Sequence, residues 1–100
     1  MDVIIAVSDH DPTTAAALGH AVRGVAAAHG TVNAALAGTS EDEVWGTEYA
    51  HWVAVTFDTE TARNLAQVSV RKIAETYGQD AVAWTEGETS ILDTAPARVG

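Results

Sequence analysis

Side chains able to do chemistry gather in three stretches of this 100-residue chain. Asp9, His10 and Asp11 follow an apolar run. Glu41, Asp42, Glu43, Trp45, Glu48 and Tyr49 fill a polar stretch ahead of His51, and Gln79 and Asp80 precede a further apolar run. Carboxylate and imidazole ligands suit zinc, manganese or iron, and the weak candidates for such a site are Asp9, His10, Asp11 and His51. The spacing speaks against it: no His-x-x-x-His or Glu-x-x-His pair falls on either helical stretch, and Asp11 is placed to cap a helix. The same acids suit another chemistry better. Carboxylates steer a basic protein surface and add specificity, while Trp45 or Tyr49 supplies a desolvated anchor. The partner-binding set is therefore Glu41, Asp42, Glu43, Trp45, Glu48 and Tyr49, with Asp9 and His10 beside them. No metal, cofactor or catalytic residue is expected.

Nucleophilic catalysis finds little support. Ser8 lies beside Asp9 and His10, but a working triad is assembled across a fold, not from neighbours in the chain. No Gly-x-Ser-x-Gly, phosphate loop or dinucleotide fingerprint occurs. With no cysteine, disulfides, thiolate metal sites and a cysteine nucleophile are excluded.

Charge narrows the partners. Fourteen carboxylates face five cations for a net charge of -9, and Lys72 is the sole lysine. Such a surface repels a phosphate backbone, so direct nucleic-acid binding is not expected. Three accounts of the acidity stand: a soluble surface adapted to a salty cytoplasm, a docking face for a basic partner, and mimicry of a nucleic-acid backbone. The cations Arg63, Arg71 and Lys72 share one helix, where Arg71 can pair with Glu75. The apolar run Val3–Val7 lacks flanking positive charge and is too short to span a bilayer, so it reads as a strand in a soluble, cytoplasmic protein.

The elements that must position these groups are legible from periodicity. Val3–Val7 is continuously apolar, as a central strand is. Asp11 and Pro12 start a helix running to about Ala28, with Leu18, Ala21, Val22 and Val25 as its buried stripe and Gly30 at its end. Gly19 and Gly24 each cost about 1 kcal/mol of helix propensity, for which close packing on a sheet would compensate. Val32, Ala34 and Leu36 alternate with Asn33, Ala35 and Ala37 as a second strand. Gly38 to Glu48 reads as a polar loop. His51–Phe57 is a third strand, with His51, Val53, Val55 and Phe57 on one face and Trp52, Ala54 and Thr56 on the other. Asp58 or Thr59 caps a second helix whose apolar side is Leu65, Ala66, Ser69, Val70, Ile73 and Tyr77, and Gly78 ends it. Ala81–Thr85 and Thr89–Leu92 then form a hairpin turned by Glu86-Gly87-Glu88.

The order β-α-β-β-α-β plus one strand predicts an α+β fold of the ferredoxin-like, split β-α-β type, with both helices on one face of an antiparallel sheet. Residues 1–93 form the single domain and 94–100 a flexible tail. The topology collects the end of strand one, the polar loop and the start of strand four on one rim. Trp52, Ala54 and Trp84 are expected to decorate the open face of the sheet. That face points to a homodimer packed sheet on sheet, unless the rings lie under the helices or shield the face alone.

The run Tyr77-Gly78-Gln79-Asp80-Ala81-Val82 resembles a helix-to-strand corner in small, uncharacterised ferredoxin-like proteins of prokaryotes and their viruses; the likeness spans Trp52 to Trp84 and implies a fold without an activity. The front half, with Ser8–Pro12 as its loop and His29-Gly30 after its helix, looks like an ACT domain, which implies a regulatory module that binds a small molecule. It departs from that pattern where Thr13, not glycine, follows Asp11-Pro12. Ferredoxin-like dimers that act as small cofactor-free oxygenases or isomerases are a third comparison, which His51 and Trp52 permit. The expected function is a small, acidic, non-enzymatic protein-binding module, of the kind a virus or mobile element uses against host machinery. The ACT-like ligand-binding domain is the alternative, and the small dimeric enzyme the second alternative.

Overall fold

The structure is a computed structural model that describes residues 1–44, 46–79 and 82–86. The elements follow as β1 (Asp2–Asp9), α1 (Pro12–His29), β2 (Thr31–Asp42), β3 (Gly46–Thr56), α2 (Glu60–Thr76) and β4 (Ala83–Glu86). The strands form one sheet of four in the order β2-β3-β1-β4, every neighbouring pair antiparallel. This is an α+β fold. Glu86, expected in a turn, is the last residue of β4; the rest of that turn, the expected strand Thr89–Leu92 and the tail lie outside the described residues.

Alternation along the central strands sorts side chains to two faces. Val3, Ile5 and Val7 of β1 pair with Val55, Val53 and His51 of β3 and share one face. Both helices cover it: Leu18, Val22 and Ala26 of α1 and Ala66 and Val70 of α2 join those valines, Ile5 and Phe57 in a single core cluster. Ile4, Ala6, Trp52 and Ala54 point the opposite way.

Each helix end follows from its residues. Asp11 accepts hydrogen bonds from the Thr14 amide (2.9 Å) and hydroxyl (2.8 Å). These donors hold its carboxyl below the usual carboxylate value. Thr59, not Asp58, caps α2 by accepting from the Ala62 amide at 3.1 Å. At the other end Gly78 takes the left-handed conformation (φ +70), its amide donates to Glu75 and the Gln79 amide donates to Ala74. That is the Schellman arrangement, and glycine there avoids the Cβ penalty.

Four expectations need correction. The buried residues of α2 are Ala66, Val70 and Ala74, whereas Leu65 is 53% exposed, because the helix turns its 66/70/74 line toward α1 and the sheet. Gly24 meets nothing within 4 Å of a Cβ built on it, so packing does not account for it, although it does for Gly19. Trp84 does not lie on the open face. It is opposite Ile5 in register, on the helix side, with its ring stacked on Phe57 at 6.2 Å and 8°. Its Nε1 donates to Glu86 (2.8 Å), and this bond, aided by the Arg63 ion pair to the same carboxylate, holds Glu86 below its usual value.

The polar stretch before strand three is no loop. Strands β2 and β3 stay paired out to Asp42↔Gly46, and the turn is closed by Gly46 at φ +76. The register also slips by one between Val32 and Ala34, which leaves Asn33 as the extra residue of a bulge. Val32 thus faces the helices opposite Val55, but Ala34 and Leu36 lie opposite Ala54 and Trp52 on the open face. The residues turned toward the helices are instead Ala35 and Ala37, opposite Val53 and His51.

Candidate functional site

The rim expected from topology is present, and its contacts define it. Register places Asp9 opposite Tyr49, and Tyr49 opposite Thr39, so the end of β1 lies against the middle of the β2–β3 hairpin. His10 Nδ1 lies 3.1 Å from the Thr47 carbonyl, which accepts its proton in that tautomer, and Nε2 lies 3.9 Å from Glu48. Gln79, just beyond α2, donates from Nε2 to Asp9 Oδ2 at 2.7 Å. Asp9, His10, Glu48, Tyr49 and Gln79 therefore come together from β1, the hairpin and the end of α2.

Beyond β1 the hairpin continues alone. The pairs Ser40↔Glu48, Glu41↔Thr47 and Asp42↔Gly46 extend past Asp9↔Tyr49. Three further pairs correspond to about 10 Å of strand. Exposed Glu41 is on β2 and exposed Glu43 is in the turn, where Val44 is 81% exposed. Asp42 is the last residue of β2, while Trp45 and Asp80 lie outside the described residues. The acidic group is thus split. Glu41, Asp42 and Glu43 mark a projecting tip, and Asp9, His10 and Glu48 form its base.

The weak metal candidates are employed differently. Asp9 Oδ1 accepts the Asp11 amide at 2.8 Å and its other oxygen accepts Gln79, while Asp11 is committed to Thr14. The His51 ring sits against α1, where a Cβ on Gly19 would come within 2.6 Å of its Cγ. Among the described residues no group of three or more His, Asp or Glu is arranged to hold a metal ion.

The open face carries the other exposed feature. Ile4, Ala34, Leu36, Trp52 and Ala54 are among the residues that line a shallow depression of about 510 Å³, with Leu36 66% exposed. Its rim is tied at one end by Asn33 donating to the Thr56 hydroxyl (2.8 Å), which donates to Asp2 (2.7 Å).

A second cleft had no signal in the reading of motifs. It opens where α1 overhangs β2, and its polar side chains are His20 and Arg23 of α1 and His51 of β3. His20 and Arg23 are three apart on one helix face, a spacing that could have flagged them. Their meeting with His51 depends on the sheet register and has no local trace.

Among the described residues no helix is long and apolar enough to cross a membrane. No protein-family model matches the chain, and no curated protein matches it. Among solved structures it is similar to an unknown protein from Galdieria sulphuraria, with a TM-score of 0.56 at 15% identity. The match covers 84% of this chain and 45% of that one, so the chain spans less than half of that neighbour. A likeness at this identity concerns the fold alone.

Proposed function

We propose that this chain is a non-enzymatic protein-binding module that presents the acidic end of its β2–β3 hairpin to a basic surface. The element order and the strand order β2-β3-β1-β4 support a ferredoxin-like frame for it. The observation that carries the reading is the projection itself. A paired hairpin reaches past the sheet with Glu41, Asp42 and Glu43 at its end and Glu48 at its base. A paired arm holds its charges in fixed order, which a solvated loop does not, and fixed charge order is what electrostatic complementarity requires.

The test holds net charge constant. The Glu41→Gln/Glu43→Gln protein and an Asp58→Asn/Glu75→Gln protein each lose two charges. Retention on an immobilised lysine-rich peptide should weaken about threefold to tenfold in the hairpin variant and change little in the other. Binding should also fall steeply as salt rises. Equal losses in the two variants would reduce the effect to overall charge and end the proposal.

The open sheet face favours a second, compatible reading: self-association through Leu36 and Trp52. Across the middle of that face the rows Leu36–Trp52–Ala6–Ala83 and Ala34–Ala54–Ile4–Thr85 contain no charged residue, in a chain of net charge -9. A charge-free, flat surface lets two acidic molecules meet without opposing carboxylates. Light scattering should then give a dimer mass for the unaltered chain and a monomer mass for Leu36→Glu. A monomer at high micromolar concentration before any substitution removes this reading.

A further inference from the structure

We infer that the cleft between α1 and β2 is a binding site for a small phosphate-bearing ligand, held by Arg23, His20 and His51. This goes beyond protein binding at the hairpin and uses none of the acidic residues at the hairpin's end. The cleft has a volume of about 310 Å³. Its Arg23 guanidinium and its two imidazoles each offer at least one nitrogen donor, and no carboxylate lines it. In a chain with fourteen acids and five cations, such a segregation is unexpected of a surface laid out only for solubility. Among the described residues none of the three side chains has an ion pair or a hydrogen bond to the protein. Their donors are unclaimed by the fold.

The space exists for a structural reason. Ala16 and Gly19 on α1 face Ala35 and Ala37 on β2, and none of these fills the gap. Had β2 run without its bulge, Leu36 would have turned inward here in place of the alanines. Gly19 has a separate duty. Any side chain there would collide with His51, whose Cγ and Cβ lie 2.6 and 2.8 Å from the position of a Cβ. His51 is thereby held against the helix beside Arg23.

The donor set selects the ligand class. A guanidinium presents a fork of N–H groups, and two imidazoles add donors from another helix position and from the sheet. A carboxylate has two oxygens in one plane, so its acceptor sites lie around a single plane, one edge of which the Arg23 fork would take. A phosphate group has three oxygens pointing apart and uses donors from several directions. The alanine walls leave room for a small organic group attached to it.

The experiment titrates the full chain with inorganic phosphate, and separately with acetate and with chloride at matched ionic strength, following backbone amide resonances. Saturable shifts confined to residues around Gly19, Arg23, Ala35 and His51 are expected with phosphate alone. Arg23→Gln, at an exposed position, should weaken that binding about tenfold, and His51→Gln should do so as well, while Arg71→Gln on α2 leaves it unchanged. The amide spectrum of each variant reports whether it remains folded, and the Arg23 variant alone is sufficient if His51→Gln is not. Shifts of equal size with acetate or chloride, shifts scattered over the surface, or equal weakening by Arg23→Gln and Arg71→Gln would each overturn the assignment.

Discussion

Phe57→Ala is expected to destabilise the fold by about 3–5 kcal/mol, the range for truncating a fully buried aromatic. Phe57 is the largest of the fully buried side chains. It sits just past β3, where its amide donates to the Met1 carbonyl at 2.8 Å, so the backbone carrying the ring is tied to the chain start. Its ring stacks on Trp84, which is what seats β4 against the core. Removing it leaves a cavity bounded by strand residues that cannot collapse into the space, since Val3, Val53 and Val55 are held by their ladders. Part of the loss therefore falls on β4, a strand of four residues that among the described residues pairs with β1 alone. Thermal unfolding should show a midpoint lower by roughly 4–8 °C for each kcal/mol lost. Near-ultraviolet dichroism should also lose the signal of the stacked Trp84 ring. A midpoint shift of a degree or two would mean that the core tolerates the hole and that the Phe57–Trp84 stack contributes little.

Gly30→Ala is expected to cost about 1–3 kcal/mol by overpacking, although alanine is the smallest residue that could be added. The backbone at Gly30 is extended, with φ -153, so no conformational penalty attaches to a side chain there. The cost is steric. A Cβ would lie 2.5 Å from the Thr56 carbonyl oxygen, 2.9 Å from Phe57 Cδ1 and 3.0 Å from Val55 Cγ2. The first of these is backbone of the β3 end, paired on both sides to Asp2 and Thr31, and it has nowhere to move. Gly24→Ala is the control. It lies six residues earlier in α1 with nothing near its Cβ, and it should gain up to about 1 kcal/mol from helix propensity. Denaturant midpoints moving in opposite directions for the two variants would show that glycine is required at one place and only tolerated at the other. A neutral Gly30→Ala would mean that α1 and β3 are separated by more than the structure indicates.

The helices and their ends were open to reading from the residues because the forces that set them are local. Asp11 reaches an amide three residues on, Thr59 does the same, and Gly78 takes a conformation that few other residues adopt cheaply. The apolar face of β3 was legible for a similar reason, since a period of two is written in Val53, Val55 and Phe57, whereas the continuous apolar run Val3–Val7 marks a central strand without marking its face. The hairpin arm reads as a loop because every residue from Thr39 to Glu43 is polar, with no apolar alternation. Two-sided polarity looks like a loop, and only pairing with the facing strand distinguishes it. The candidate rim was partly legible. Its base depends on Asp9, His10, Glu48 and Gln79 meeting at one rim, which the order of elements implies, whereas the particular bond from Gln79 to Asp9, across 70 residues, follows from docking of the α2 end.

Taken alone, the amino-acid sequence determined the inventory: two capped helices, apolar strands, and an acid-rich, cysteine-free chain with five cations to fourteen acids. Tertiary structure decided which side each residue of β2 and β4 faces. A single extra residue at Asn33 turned Leu36 out to the open sheet and brought Ala35 and Ala37 under α1, while pairing with Ile5 turned Trp84 inward onto Phe57. A bulge or a register costs little locally and has no fixed residue signature. It is chosen by how well whole faces pack, so the cleft beside His20, Arg23 and His51 came into being only when sheet and helix met.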